Sequence, residues 1–144
     1  MPIAIPTLDV HPLDVLRQCR ITRIECFRFD RKLSEELQHG DDSYICGLIA
    51  ISTTTGIVGL KEFEIPCTSL KGDFTMWAAP FQRMKGMALL DSVDFTQQKR
   101  DIWGSVRMEL IESALVNLNE QIGKPCVQFD RAYLFEHAQA YVSF

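Results

Sequence analysis

The chain has 144 residues, of which 47% are hydrophobic and 24% charged, and its formal net charge is −4. This composition is typical of one globular domain and excludes global disorder, and the length suffices to bury a core without disulfides or metals. The negative charge argues against a protein that coats nucleic acid, which needs a dense basic surface.

We recognise neither a membrane-spanning segment nor a secretory signal in the sequence. No stretch approaches the roughly 18 apolar residues of a membrane span. The first six residues contain two prolines and no basic residue, unlike a secretory signal. The five cysteines are scattered and odd in number, which favours reduced thiols. We therefore expect a cytoplasmic protein with neither a membrane nor a nucleic acid as partner.

One short stretch is locally basic, although Glu25 and Asp30 dilute it. Its cationic residues are Arg17, Arg20, Arg23, Arg28, Arg31 and Lys32. Such a stretch is either a solvated strand face with its loop or an anion-binding patch, and the solvated interpretation is favoured.

The first 20 residues, punctuated by Pro2, Pro6 and Pro12, are expected to form an extension. A strand is predicted over Ile21 to Phe29 from its β-branched and aromatic content. Its alternation slips, so that either both faces are covered or a bulge intervenes.

Asp30 to Ser43 is polar and is expected to form a long loop. Strands are then predicted over Tyr44 to Thr53 and Ile57 to Ile65. The turn between them, Thr54-Thr55-Gly56, is so short that the two strands must be antiparallel neighbours. These three strands form a predicted meander.

Helical spacing begins after the meander. The spacing predicts a helix over Phe81 to Leu90, then a short helix capped by Asp94 or Thr96 and reaching Trp103. Gly104 is expected to break it before a long helix from Val106 to Ile122. The apolar residues of this helix form one stripe at helical spacing: Ile111, Ala114, Leu115, Leu118 and Ile122. Weak alternation predicts a last strand over residues 138 to 144. The predicted class is α+β, a three-stranded antiparallel meander followed by a bundle of about three helices.

Motifs that carry chemistry are missing. His11, His39 and His137 stand far apart, and no pair of cysteines has CxxC spacing. Paired acids such as Asp41 and Asp42 are typical of turns rather than of a magnesium site. A cysteine nucleophile would need a histidine that only the fold brings near.

Three stretches, taken together, resemble the N-terminal capping domain of the enolase superfamily, in its mandelate racemase and muconate-lactonising branch. They are Ile21 to Phe29, Leu48 to Glu62 and Val106 to Val127. The resemblance spans residues 21 to 144. Lys61 departs from it, standing where the family has a glycine, and so does Asn117, standing where the family has an aspartate.

The resemblance implies that residues 21 to 137 form the capping domain and that residues 138 to 144 form a strand similar to the start of a barrel. The family's catalytic bases and magnesium ligands lie in that barrel, so none can be placed here. It also implies a specificity role for the loop from residue 30 to 43, where Arg31, Lys32 and His39 are the candidate contacts.

Three functions stay open on this basis. The first is a non-catalytic orphan capping domain acting as a binding or self-association module, a homo-oligomer for which exchange of the C-terminal strand is one route. The second is the capping subunit of a split enzyme, whose separate barrel protein would bring magnesium for proton abstraction next to a carboxylate. The third is a small-ligand binder using the loop from residue 30 to 43. No cofactor is expected for the chain by itself.

Overall fold

The computed structural model describes residues 18–29, 44–69, 73–122 and 130–144. The strands in these ranges are β1 (Ile21–Phe29), β2 (Tyr44–Thr53), β3 (Val58–Pro66) and β4 (Ala138–Ser143). They form one sheet in the order β3-β2-β1-β4, in which all neighbouring strands are antiparallel. The predicted meander is therefore confirmed, and the strand near the C-terminus extends it beyond β1.

Helices follow the meander, as the α+β prediction requires. They are α1 (Phe74–Ala78), α2 (Leu89–Gln98), α3 (Arg100–Glu120) and α4 (Arg131–His137). Short 3-10 segments occupy Cys67–Ser69 and Ala79–Met84. The α+β class is confirmed, while α1 and α4 were not predicted.

The predicted helix from Phe81 to Leu90 is wrong. The 3-10 segment ends at Met84, and Gly86 then adopts a φ of 90°, a left-handed conformation that interrupts helical geometry. The α-helix begins only at Leu89. Asp94 and Thr96 consequently lie inside α2, and neither caps a helix.

The predicted break at Gly104 is confirmed. This residue has φ 83° and ψ 164° within α3, so the chain kinks there before the long regular part of the helix. The predicted apolar stripe of that part is buried, with Ile111, Ala114 and Leu118 at 0% exposure. The stripe packs α3 against the sheet.

The sequence of β1 allows two explanations for its irregular alternation, namely that both faces are covered or that a bulge intervenes. The structure shows both features. Ile24 and Cys26 belong to the main core between sheet and helices, whereas Phe27 and Phe29 belong to a second cluster on the other face. Register irregularities also occur at both ends of the strand. Since both faces are covered, the strand shows no clean alternation.

Gly59 permits the closest approach of α3 to the sheet. An added Cβ would lie 2.7 Å from the Ala114 carbonyl oxygen and 2.7 Å from Leu118 Cβ. The missing side chain of Gly59 therefore makes room for a helix.

Gly59→Ala is expected to lower the free energy of unfolding by about 3 kcal/mol, since backbone atoms of α3 must move to admit the methyl group. Urea denaturation measures the change. Gly56→Ala is the comparison, because Gly56 has φ 85° but open space around it, and the left-handed conformation costs only about 1 kcal/mol. An equal or smaller loss for Gly59→Ala would contradict the close approach.

Candidate binding surface

The residues named from the sequence as candidate contacts, Arg31, Lys32 and His39, lie outside the described residues. Their role in a specificity loop stays a prediction. Of the basic stretch, Arg20 and Arg23 are exposed. Within the described residues, the candidate surface is the face of the sheet that carries Phe27 and Phe29, together with the edge strands of the sheet.

A carboxylate is buried on that face. Glu25 of β1 is 0% exposed, on the side of the sheet that carries Phe27 and Phe29. Arg131 Nη1 lies 2.6 Å from Glu25 Oε1, and the Tyr141 hydroxyl donates a hydrogen bond to Oε2 at 2.7 Å. A buried carboxylate is tolerated only with such partners, because desolvating an unpaired charge is costly.

Local structure places both partners. Asp130 caps α4 by accepting a hydrogen bond from the Tyr133 backbone N–H at 3.0 Å, which sets Arg131 at the first position of the helix. Tyr141 lies directly opposite Phe27 in the β1–β4 pairing. The Glu25 carboxylate therefore joins α4 and β4 to the centre of the sheet.

Apolar contacts surround this polar cluster. The ring centroids of Phe27 and Tyr141 are 4.9 Å apart, and those of Phe135 and Tyr141 are 4.5 Å apart. Leu134 of α4 is buried against Phe27 and Phe29. The aromatic rings shield the ion pair and strengthen it.

The cluster changes the pKa values of its members. The hydrogen bond to Glu25 raises the pKa of Arg131, and burial followed by the hydrogen bond to Glu25 raises the pKa of Tyr141. Burial, with a smaller effect from Glu25, also raises the pKa of the Cys26 thiol. Cys26 is thereby held as a neutral thiol, which is a poor nucleophile.

The strand that this cluster anchors forms one edge of the sheet. Phe144 and Ile24 exchange backbone hydrogen bonds at 2.9 and 3.3 Å, so the alternation of an antiparallel ladder turns the N–H groups of Tyr141 and Ser143 outward. The β4 sequence, Ala-Gln-Ala-Tyr-Val-Ser, contains neither a charge nor a proline. Among the described residues β4 has β1 as its one strand neighbour.

The opposite edge is protected. β3 carries Lys61, Glu62, Glu64 and a terminal Pro66, which are residue types that discourage a further strand. The Asn117 side chain of α3 also accepts a hydrogen bond from the Leu60 backbone N–H at 2.9 Å. The two edges of the sheet thus differ in kind.

The described ranges give no indication of metal chemistry or of a transmembrane helix. Within them no three His, Cys, Asp or Glu side chains are grouped to hold a metal ion. In the same part of the chain, no helix has both the length and the apolar character that crossing a bilayer requires.

Comparison with known proteins gives a likeness of fold. No family model and no curated protein matches the chain. A solved structure, the mandelate racemase/muconate lactonizing enzyme from Roseovarius nubinhibens ISM, is similar to it with 18% identity and a TM-score of 0.49. The similarity covers 81% of this chain and 40% of that one. The matched part of the chain thus corresponds to less than half of that enzyme.

Arg131→Ala is expected to lower the free energy of unfolding by about 3 kcal/mol, because it leaves the Glu25 charge buried with one partner fewer. Tyr141→Phe should cost about 2 kcal/mol, and the two losses should not add, since both act on one carboxylate. Urea denaturation of the single and double variants measures the coupling. Arg100→Ala, which removes the exposed pair with Glu112 at 2.8 Å, should cost about 0.5 kcal/mol. Equal losses for Arg131→Ala and Arg100→Ala would contradict the role of burial.

Alkaline pH should weaken the same cluster. The pKa of Tyr141 is raised in the folded protein above its ordinary value of 10.0, so the folded state keeps the phenolic proton longer than the unfolded state. The resulting stabilisation is complete below about pH 10 and is lost as pH rises through the folded-state pKa. Thermal unfolding between pH 9 and 12 should show a steeper decline for the wild type than for Tyr141→Phe. Parallel declines would show that Tyr141 does not contribute.

Sequence reasoning missed this cluster for an identifiable reason. Glu25 stands in a basic stretch of the sequence, where it reduces the local positive charge and is expected to be solvated. In the structure it is fully buried. The available signal is its position in strand alternation, two residues before Phe27 and four before Phe29, which places all three on one face of β1. Its partners are 106 and 116 residues away in the sequence, a separation that local pattern cannot bridge.

Proposed function

We propose that this chain is a non-catalytic binding module that self-associates, two copies joining edge to edge through β4. The observation that carries the proposal is the β4 edge, where β1 is the one strand neighbour among the described residues and the sequence lacks every charge and proline that would discourage a further strand. In the family that the sequence resembles, the catalytic residues belong to the barrel, and the proposal accordingly assigns this domain a binding role.

The geometry of β4 suits a second copy of itself. Antiparallel pairing around a two-fold axis at Val142 would set Tyr141 opposite Ser143 of the other copy, and the outward N–H and C=O groups of both residues would bond across the axis. The sheets of the two copies would then form one continuous sheet of eight strands.

The Glu25 cluster gives this edge its rigidity. Because Arg131 and Tyr141 hold α4 and β4 on β1, the edge is ordered before a partner arrives. Less conformational entropy is then lost on association, which favours dimerisation through this strand.

Light scattering of the purified chain at micromolar concentration is expected to give twice the 16.4 kDa of one copy. The double variant Gln139→Lys/Ser143→Lys should raise the dimer dissociation constant at least about tenfold, since lysines at an edge oppose pairing. The double variant Gln98→Lys/Ser105→Lys introduces the same charges at exposed positions of α2 and α3 and should leave the dimer intact.

Ser143→Pro tests the backbone directly. It removes an outward N–H group while keeping the inward N–H of Phe144, so the variant should stay folded by circular dichroism and become a monomer. A wild type that is monomeric at these concentrations, or a dimer equally strong in Ser143→Pro, would overturn the proposal.

A further inference from the structure

An apolar groove lies between α2 and α3. Its wall includes Leu90 and Val93 of α2 with Leu115 and Val116 of α3, and its volume is about 430 Å³. Val93 is 45% exposed and Val116 57%. Two neighbouring valines this exposed beside a concave apolar surface are typical of a contact site for another molecule.

A second, larger cavity lies on the other side of the exposed ridge of α3. This trough, of about 710 Å³, runs between α3 and β3. Four glutamates line it, Glu62, Glu109, Glu112 and Glu120, with Lys61 as the one basic residue of its lining. Because Glu112 and Val116 line both cavities, groove and trough form one continuous surface.

Acidic residues occur on both helices near the groove. Asp94 of α2 is exposed, follows Val93 in the sequence and lies one helical turn after Leu90. Glu109 and Glu120 of α3 are exposed beyond Val116. Arg100 neutralises Glu112 at 2.8 Å, so the charge presented to a ligand comes from the other acids.

We propose that this surface binds a cationic amphipathic helix of a partner protein. Apolar side chains at helical spacing would enter the α2–α3 groove, and lysines or arginines flanking them would face Asp94, Glu109 and Glu120. A second copy of this chain is a poor occupant, because it would bring the same acidic border into contact with itself. Nucleic acid and anionic lipid are repelled for the same reason.

The test uses a fluorescein-labelled synthetic peptide of about 14 residues, made of leucine and lysine with the leucines at helical spacing. Fluorescence anisotropy on the full chain is expected to show saturable binding that weakens as salt is raised. Glu120→Lys should weaken binding about tenfold, and Val116→Ser about fivefold. Glu136→Lys, the same change on exposed α4, should alter the dissociation constant less than about twofold.

The order of the leucines is the second control. A peptide of identical composition with scrambled order has the same charge but no apolar face, and it should bind at least about tenfold more weakly. Equal binding of both peptides, an equal effect of Glu120→Lys and Glu136→Lys, or no binding at millimolar peptide would each overturn the proposal. Conversion of a dimer to a monomer by Val116→Lys would also overturn it, because a second copy would then cover the groove. The Ser143→Pro monomer should bind the peptide like the wild type, which keeps this test separate from that of the β4 edge.

Discussion

A carboxylate without access to water is the constraint on which the arrangement of the sheet's second face depends. Glu25 sits in the central part of β1 at 0% exposure, where an unpaired charge would be too costly to keep. The two groups that satisfy it come from α4 and β4. Because the buried Glu25 side chain needs both partners, it fixes α4 and β4 in their places beside β1.

The position of β4 determines which strands form the two edges of the sheet. Without β4, β1 would be an edge strand, with its outer backbone groups unpaired. With β4 in place, the last strand on that side among the described residues is free of charge and proline, while β3 carries charged residues and donates a backbone hydrogen bond to Asn117. The proposed self-association uses this difference between the edges, because charges and a proline discourage strand addition at β3 and are missing from β4.

The helical layer carries a different kind of surface. There apolar residues of α2 and α3 line a groove that adjoins an acidic trough, and the proposed partner is basic for this reason. The two proposed contacts therefore use different physical chemistry, backbone hydrogen bonding at β4 and charge-bordered apolar packing at α2 and α3, and one molecule can make both.

Local pattern was sufficient for the elements whose evidence lies within a few residues. The meander followed from strand composition and from the short turn at Gly56, and the kink in α3 followed from Gly104. Pattern failed between Phe81 and Trp103, where a 3-10 segment and the left-handed Gly86 shifted the helix boundaries. The spacing of apolar residues there indicates which side chains are buried. A 3-10 segment and an α-helix can bury similar sets of residues, so the spacing does not distinguish them.

The sequence by itself determined the α+β class, the order of the strands in the meander and the core-facing stripe of the long helix. Only the tertiary structure decided that Glu25 is buried, that β4 lies beside β1, and that Gly59 admits a helix. Each of these depends on residues more than 50 positions apart in the chain. Periodicity describes which side of its own element a residue occupies, whereas the packing of distant elements decides whether water reaches that side.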